Sequence, residues 1–404
     1  MILKLRNESS LKSYCDAIHF QLDATNLIID MKIAFYIISL FVFLTSPVFS
    51  QDIRDVKSAF EGLYDGLFSV DEPGGSVLVM KGDKVTFLGN YGLADLSVGE
   101  KITEHTVFNT GSISKTFVAN AILMLHERNQ LSITDPISKY FDDFDNSEIA
   151  ESVTIEHLLS HTSGLPDLRN VRNRSAFFLT AKDEENWAPI KKASRLNSIP
   201  GSHYDYSNPA FNGLALIIEK VTGDKWQQFV NNEIFKVADM ESSTITDGAH
   251  PQTGVAHGYD KQGTGYIESD YGEVPTFAAA GNGGVWSTVM ELAKYEKALR
   301  SHNLISKRML RKSRHPFKAH NWNGGNDPHI GYSWFLDGGS RFNKGRDEVE
   351  VVYHTGSQGG FRSFFISIPE KDIVYIALFN RPFSQYQRVM EEGVQILRRS
   401  NWME

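Results

Sequence analysis

The sequence has almost no cysteine, which excludes several kinds of chemistry at the start. Of its 404 residues only Cys15 is a cysteine, and it lies in the first 50. From residue 51 onward there are therefore no disulfides, no thiol nucleophiles and no thiolate metal ligands. The 13 histidines are scattered, and no His-x-x-x-His pair is flanked by carboxylates on a predicted helix. We expect no metal site and no cofactor, and a fold whose stability comes from its hydrophobic core.

The sequence also lacks a strong charge of either sign. Its 41 basic and 49 acidic residues give a net charge of −8, and no block of basic residues occurs. Nucleic acid is therefore not an expected partner. No internal repeat or low-complexity tract is visible, which excludes solenoid and propeller architectures. With 41% hydrophobic residues, the chain is long enough to bury a large core.

Long hydrophobic runs are missing as well. The run at residues 33–44 is 12 residues long and apolar except for Ser39, whereas a membrane span needs about 20 residues. It follows Lys32 and precedes small residues, which is typical of a secretory signal peptide. We therefore predict a signal peptide at residues 31–50 cleaved near Ser50, with residues 1–30 an over-extended start. The mature protein would be exported, periplasmic or secreted, without a permanent membrane anchor.

Short β-rich segments occur near both ends of the mature chain. Ser76–Met80 and Val85–Leu88 surround a glycine-containing turn and predict a hairpin. Two further strands are predicted at Ser363–Ile368 and Asp372–Leu378. Tight turns between such strands favour antiparallel pairing.

Helical periodicity is found at both ends and throughout the middle of the mature chain. The predicted helices are Asp52–Phe68, Thr116–Leu125, Ala210–Val221, Thr288–Leu299 and Gln385–Arg399. We predict an α+β fold in which an antiparallel sheet is flanked by terminal helices and contains an inserted, mainly helical subdomain. A single domain would span residues 51–404, with a sheet subdomain at about 51–110 and 287–404 and a helical subdomain at about 111–286.

The most informative stretch contains Ser112 and Lys115, directly before the apolar segment 116–125. Residues i and i+3 share a helix face, so the Lys115 amine can reach the Ser112 oxygen. A serine hydroxyl needs such a neighbour to take its proton before it becomes a good nucleophile. Alone, the Ser-x-x-Lys spacing is a weak signal, because a capping serine followed by a solvated lysine gives the same pattern.

Two later segments carry polar groups that would complete a serine active site. Tyr206-Ser-Asn208 is the only Tyr-x-Asn in the sequence, and His354-Thr-Gly356 is the only His or Lys followed by Ser/Thr-Gly. Each has a structural alternative. Tyr206 would be a core tyrosine, Asn208 the cap of the following helix, and His354 an ordinary residue at a strand end.

Taken together and in this order, the three segments resemble the motifs of the penicillin-recognising serine hydrolases. The resemblance runs from about residue 55 to the end. Its details are similar to a branch with class C β-lactamases, serine D-Ala-D-Ala carboxypeptidases, D-aminopeptidases and related esterases. Those details are Phe108–Lys115, His157–Gly164, Tyr206–Asn208 and Gly283–Thr288. His161 and Ser163, within the second of them, we interpret as loop-shaping residues.

The resemblance implies a role for each catalytic group. Ser112 would attack an acyl carbonyl and carry the acyl group, with either Lys115 or Tyr206 as general base. The backbone N–H groups of Ser112 and Ser357 would form the oxyanion hole. Asn208 would orient Lys115 and bind the substrate.

The third motif is expected to line the substrate with His354, Thr355 and Gly356. Most true β-lactamases have lysine at the first position, which keeps a full charge for a substrate carboxylate. Histidine is charged only near or below about pH 6.5 unless its pKa is perturbed. If His354 binds a carboxylate, affinity for acidic substrates should weaken above its pKa.

The sequence therefore predicts an exported serine hydrolase that forms an acyl-enzyme on Ser112. Its substrate would be a small molecule or peptide with an amide, peptide or ester bond, including peptides that contain D-amino acids. The alternatives are a true β-lactamase and a non-catalytic peptidoglycan-binding protein on the same scaffold. The oligomeric state is open.

Overall fold

The computed structural model describes residues 55–169, 177, 180–245, 254–269, 278–325, 329–337, 342 and 350–403. The segments predicted as an over-extended start (1–30) and a signal peptide (31–50) lie outside these residues. Within the described ranges, no helix is both long and apolar enough to cross a membrane.

Each of the five predicted helices overlaps a helix of the described residues, and shorter helices lie between them. The helices are α1 (Val56–Tyr64), α2 (Ser114–Glu127), α3 (Ser147–Ser152), α4 (Ile155–Leu159), α5 (Asp183–Trp187), α6 (Asn208–Thr222), α7 (Trp226–Val230), α8 (Val289–Arg300), α9 (Lys307–Ser313) and α10 (Tyr386–Arg399). The strands are β1 (Gly75–Lys81), β2 (Lys84–Tyr91), β3 (Leu93–Asp95), β4 (Glu100–Lys101), β5 (Phe108–Asn109), β6 (Tyr259–Gln262), β7 (Gly265–Glu268), β8 (Trp286–Ser287), β9 (Phe335–Leu336), β10 (Val352–Gln358), β11 (Phe361–Ile368) and β12 (Ile373–Phe379).

A six-stranded sheet joins the two ends of the chain. Its strand order is β2-β1-β12-β11-β10-β9, and every pairing in it is antiparallel. The two chain ends meet where β1 pairs with β12, with Val79 opposite Tyr375. This sheet, shared between early and late segments, confirms the predicted α+β fold class.

The sheet separates two hydrophobic clusters. On one face, α1 and α10 pack on the sheet and bury residues such as Phe60 and Val389. The other face belongs to a larger cluster that includes Phe117 of α2, Phe211 of α6 and Tyr295 of α8. Strands buried on both faces need apolar residues throughout, and β12 is accordingly buried at every position. Terminal helices flank the sheet as predicted, while the subdomain boundaries at about 110 and 287 stay a prediction.

Helix α2 is the element that positions the candidate site. Its first twelve residues are all buried, so the apolar run from 116 to 125 is enclosed by other elements, as predicted. A 3₁₀ turn, Gly111–Ile113, leads directly into it. This turn brings Ser112 to the end of α2 that lies against β10.

Candidate active site

Ser112 and Lys115 meet as their spacing predicted. Lys115 is fully buried in the first turn of α2, and Ser112 is half-buried. The Lys115 Nζ donates to Ser112 Oγ at 3.0 Å and to the carbonyl oxygen of Asn282 at 2.6 Å. The lysine is therefore not the solvated residue of the structural alternative.

Burial also sets the protonation of Lys115. Desolvation, together with the nearby positive charge of Arg169, holds the pKa of Lys115 well below its usual range. A buried amine loses the hydration that favours its charged form. Lys115 therefore has the environment of a general base, next to the hydroxyl group it would deprotonate.

Tyr206 approaches the same hydroxyl group. Ser112 lies near enough to the Tyr206 phenol to lower its pKa, and the Tyr206 ring centroid lies 5.2 Å from Lys115 Nζ. Although 37% of the residue is accessible, the ring packs on His161 and Phe335. Desolvation raises the pKa of Tyr206, and the nearby Ser112 only partly offsets that effect. Tyr206 is therefore a neutral phenol at neutral pH rather than a resting phenolate.

Two glycines allow the turn before α2 to touch β10. Gly111 has a φ of +54°, and a Cβ there would lie 2.7 Å from the backbone nitrogen of Ser357. A Cβ on Gly356 would collide with the carbonyl oxygen of Thr110. Only glycine permits this approach. The contact places the Ser357 backbone beside the turn that carries Ser112, as the predicted oxyanion hole requires.

Asn208 lies close to the site but does not hold Lys115. It is the first residue of α6, and Ser207 is the N-cap, accepting from the Ala210 N–H at 3.3 Å. Among the described residues, the Lys115 Nζ hydrogen-bonds to Ser112 and Asn282 instead. The role of Asn208 toward a substrate stays a prediction.

His354 lies inside the protein and is uncharged. It is fully buried, and its Nδ1 lies 2.7 Å from the carbonyl oxygen of Thr355. Burial, and then the charge of Lys115, lowers the pKa of His354 to about 3. It therefore does not supply the positive charge that a substrate carboxylate would need near pH 6. Thr355 is half-buried, and strand alternation places it on the opposite face of β10 from His354.

Asn282 belongs to none of the three sequence motifs, yet its carbonyl oxygen accepts a hydrogen bond from Lys115. Its side-chain oxygen accepts from Asn212 at 3.0 Å, and the same Asn212 amide donates to Asp183 at 2.7 Å. Asp183 also accepts from the Gly281 N–H at 2.8 Å. A buried polar chain therefore holds the loop whose carbonyl binds Lys115.

A weak signal for this loop exists in the glycine-rich string from 281 to 284. A Cβ on Gly281 would lie 2.7 Å from the Phe211 carbonyl oxygen, so the loop packs tightly on α6. Burial raises the pKa of Asp183 to about 7 despite its hydrogen bonds. Glycine at position 281 indicates that another part of the backbone approaches closely, but the sequence does not indicate which element it is.

A comparison with known families agrees with this geometry. A family model described as "Beta-lactamase" matches residues 60–397. The chain belongs to the Beta-lactamase family. The match spans α2, Tyr206 and β10, and therefore all three motifs.

Curated members of the Beta-lactamase family show moderate similarity. Penicillin-binding protein 4* of Bacillus subtilis (strain 168) is 25% identical over 369 residues, covering 85% of this chain and 76% of that protein. Protein flp of Staphylococcus aureus (strain MW2) is 25% identical over 342 residues, covering 76% of this chain. The match spans 59% of the length of Protein flp.

Solved structures of the Beta-lactamase fold also superpose on this chain. An octameric penicillin-binding protein homologue from Pyrococcus abyssi has a TM-score of 0.69 and 24% identity, covering 86% of this chain and 78% of its own. The D-amino acid amidase from Ochrobactrum anthropi SV3, complexed with D-phenylalanine, has a TM-score of 0.70 and 20% identity. That match covers 85% of this chain and 99% of the amidase. These likenesses show the fold.

Proposed function

We propose that the protein is an exported serine hydrolase that cleaves an amide, peptide or ester bond through an acyl-enzyme on Ser112. The observation that carries the proposal is the position of the Ser112 hydroxyl. It accepts from Lys115 Nζ at 3.0 Å and lies near the Tyr206 phenol, whose pKa it lowers. Membership of the Beta-lactamase family supports the hydrolase class. The apolar segment at 33–44 supports export.

The opposite pKa shifts favour Lys115 over Tyr206 as the base for acylation. Burial lowers the pKa of Lys115 and raises that of Tyr206, so both groups favour their neutral forms. A neutral amine accepts a proton, whereas a neutral phenol is positioned to donate one. Lys115 would take the Ser112 proton while Oγ attacks the carbonyl carbon. The oxyanion would form against the Ser112 and Ser357 N–H groups.

Collapse of that intermediate would release the leaving group and complete the acyl-enzyme. The proton of the leaving group would come from Tyr206, which Lys115 then reprotonates. After acylation the net proton transfer is from Ser112 to the leaving group, and Lys115 and Tyr206 return to their starting protonation states. Water would then attack the ester carbonyl on Ser112 while Lys115 and Tyr206 remove its proton. Collapse of the second intermediate would return a proton to Ser112 and release the acid.

The neutral state of His354 bears on the substrate. A substrate whose recognition depends on a carboxylate-binding cation would find no charge at this position. Amides and esters without a free carboxylate fit better, which favours this reading over a true β-lactamase. The structural likeness to a D-amino acid amidase makes D-aminoacyl amides the first substrates to test.

The proposal is tested by hydrolysis of D-phenylalanine amide, 4-nitrophenyl acetate and benzylpenicillin. We expect turnover of the amide or the ester, and none by the Ser112→Ala variant. Rapid turnover of benzylpenicillin alone would identify a β-lactamase. Binding without turnover, equal in the wild type and Ser112→Ala, would identify a non-catalytic binding protein and overturn the proposal.

A further inference from the structure

His161 has an uncommon backbone conformation for a buried residue. It lies in the loop after α4, is fully buried, and has a φ of +56°. Non-glycine residues rarely occupy this left-handed region, and strain there is retained only where the surrounding structure enforces it. The contacts of His161 therefore indicate what this conformation achieves.

Three of those contacts go to consecutive residues around Tyr206, while the ring also packs on Tyr204 and Phe211. The carbonyl oxygen of His161 accepts from the Asp205 N–H at 2.8 Å. Its Nδ1 accepts from the Ser207 N–H at 3.0 Å. Its ring stacks on the Tyr206 ring, with centroids 4.4 Å apart and planes at 27°. One side chain and its backbone thus bind the residues before, at and after the tyrosine.

The segment that carries Tyr206 has little other support. Residues 203–206 are exposed and form neither helix nor strand. A loop of this kind samples several conformations unless tertiary contacts select one. The distance between the Tyr206 hydroxyl and Ser112 therefore depends strongly on what holds this segment.

We propose that His161 is a positioning residue that holds Tyr206 against Ser112, an inference that rests on the proposed function. The stacked imidazole fixes the orientation of the phenol ring, and the two hydrogen bonds fix the position of the backbone on either side of Tyr206. His161 itself does not touch the reacting atoms, so it acts through Tyr206.

The neutral form of His161 is the one that this role requires. Because Nδ1 accepts from Ser207, the ring proton lies on Nε2, and protonation of Nδ1 would break the bond. The titratable groups nearby are Lys115 and His354. Burial and then these two residues hold the pKa of His161 well below its usual range.

Three substitutions of His161 separate the effect of ring stacking on Tyr206 from the effect of the hydrogen bond to Ser207. His161→Asn keeps a side-chain acceptor and tolerates a positive φ, but removes the ring. His161→Phe keeps a ring and removes the acceptor, and His161→Ala removes both. His302 provides a matched control, since it is exposed and has a φ of +60°. His302→Asn and His302→Phe repeat the backbone change away from the site.

The readout is kcat and KM for 4-nitrophenyl acetate. We expect kcat to fall about 10- to 100-fold in the Asn and Phe variants, further in Ala, with KM nearly unchanged. The His302 variants should match the wild type. In a Tyr206→Phe background, His161→Asn should cause little further loss of kcat, because the group it positions is already gone.

Equal losses of kcat in the two backgrounds would overturn the positioning role, as would wild-type kcat in all three His161 variants. If His161→Asn does not fold, His161→Phe enters the same double-mutant cycle. Failure of the proposed function is a separate result, because the wild type would then hydrolyse none of the three test substrates.

Discussion

At the scale of single residues, burial acts on three titratable groups in the same direction. It favours the neutral forms of Lys115, Tyr206 and His354, because each would lose hydration on becoming charged. In the proposed mechanism the lysine thereby acts as a base and the tyrosine as a proton donor, and the histidine lacks the charge expected from its ordinary pKa. The residue types were predictable from the motifs, but these protonation states depend on the surrounding packing.

The neutral His354 predicts a flat pH profile for substrate affinity. With a pKa of about 3, its charge does not change from about pH 5.5 to 8.5. The KM for a D-alanyl peptide with a free carboxylate should therefore stay constant over that range. Its C-terminal amide serves as the control. A KM that rises above pH 6.5 for the acid, but not for the amide, would show that His354 is charged after all.

At the scale of elements, the site is built by a turn and a strand that approach through glycine. The sequence identified α2 and β10 by periodicity and by motif. It did not identify the loop of Asn282 or the conformation of His161, because both depend on contacts between segments distant in sequence. Local patterns therefore predicted the candidate catalytic residues, whereas the groups that hold them depend on tertiary contacts.

Gly111→Ala tests the approach of the turn to the strand. The new Cβ would meet the Ser357 nitrogen at 2.7 Å, in a backbone with positive φ. Gly99 has a φ of +68° and nothing within 4 Å of a Cβ, so Gly99→Ala is a matched control. Both variants should lose about 1 kcal/mol of unfolding free energy from backbone strain.

Only Gly111→Ala should also lose activity, by at least about 10-fold in kcat, because the oxyanion donors are displaced. Urea unfolding and hydrolysis of 4-nitrophenyl acetate measure the two effects. Equal kcat values in the two variants would mean that the turn need not touch β10 for catalysis.

At the scale of the whole molecule, a buried ion pair joins elements of the larger hydrophobic cluster. Arg314, directly after α9, binds Glu296 of α8, which also accepts from Ser367 of β11 at 2.7 Å. Both charged side chains are almost inaccessible to solvent. Removing one partner of such a pair leaves an uncompensated buried charge. The antiparallel sheet was predictable from strand patterns, but this long-range ion pair was not.

Arg314→Met should therefore lower the free energy of unfolding by about 3–5 kcal/mol. The matched control is Arg128→Met, which breaks the partly exposed pair with Glu233. Arg128→Met should lower the free energy of unfolding by no more than about 1 kcal/mol. Urea unfolding measures both variants. A similar small loss for the two would show that Glu296 gains protons or other partners when Arg314 is removed.

The most direct test of the central claim is to identify the residue that is acylated. The protein is treated with benzylpenicillin and, separately, with a fluorophosphonate, and the adducts are mapped by mass spectrometry. We predict modification at Ser112 by at least one reagent, none in Ser112→Ala, and a rate about 10²- to 10⁴-fold lower in Lys115→Met. Modification of another residue, or none with either reagent, would contradict the assignment of Ser112 as the activated nucleophile.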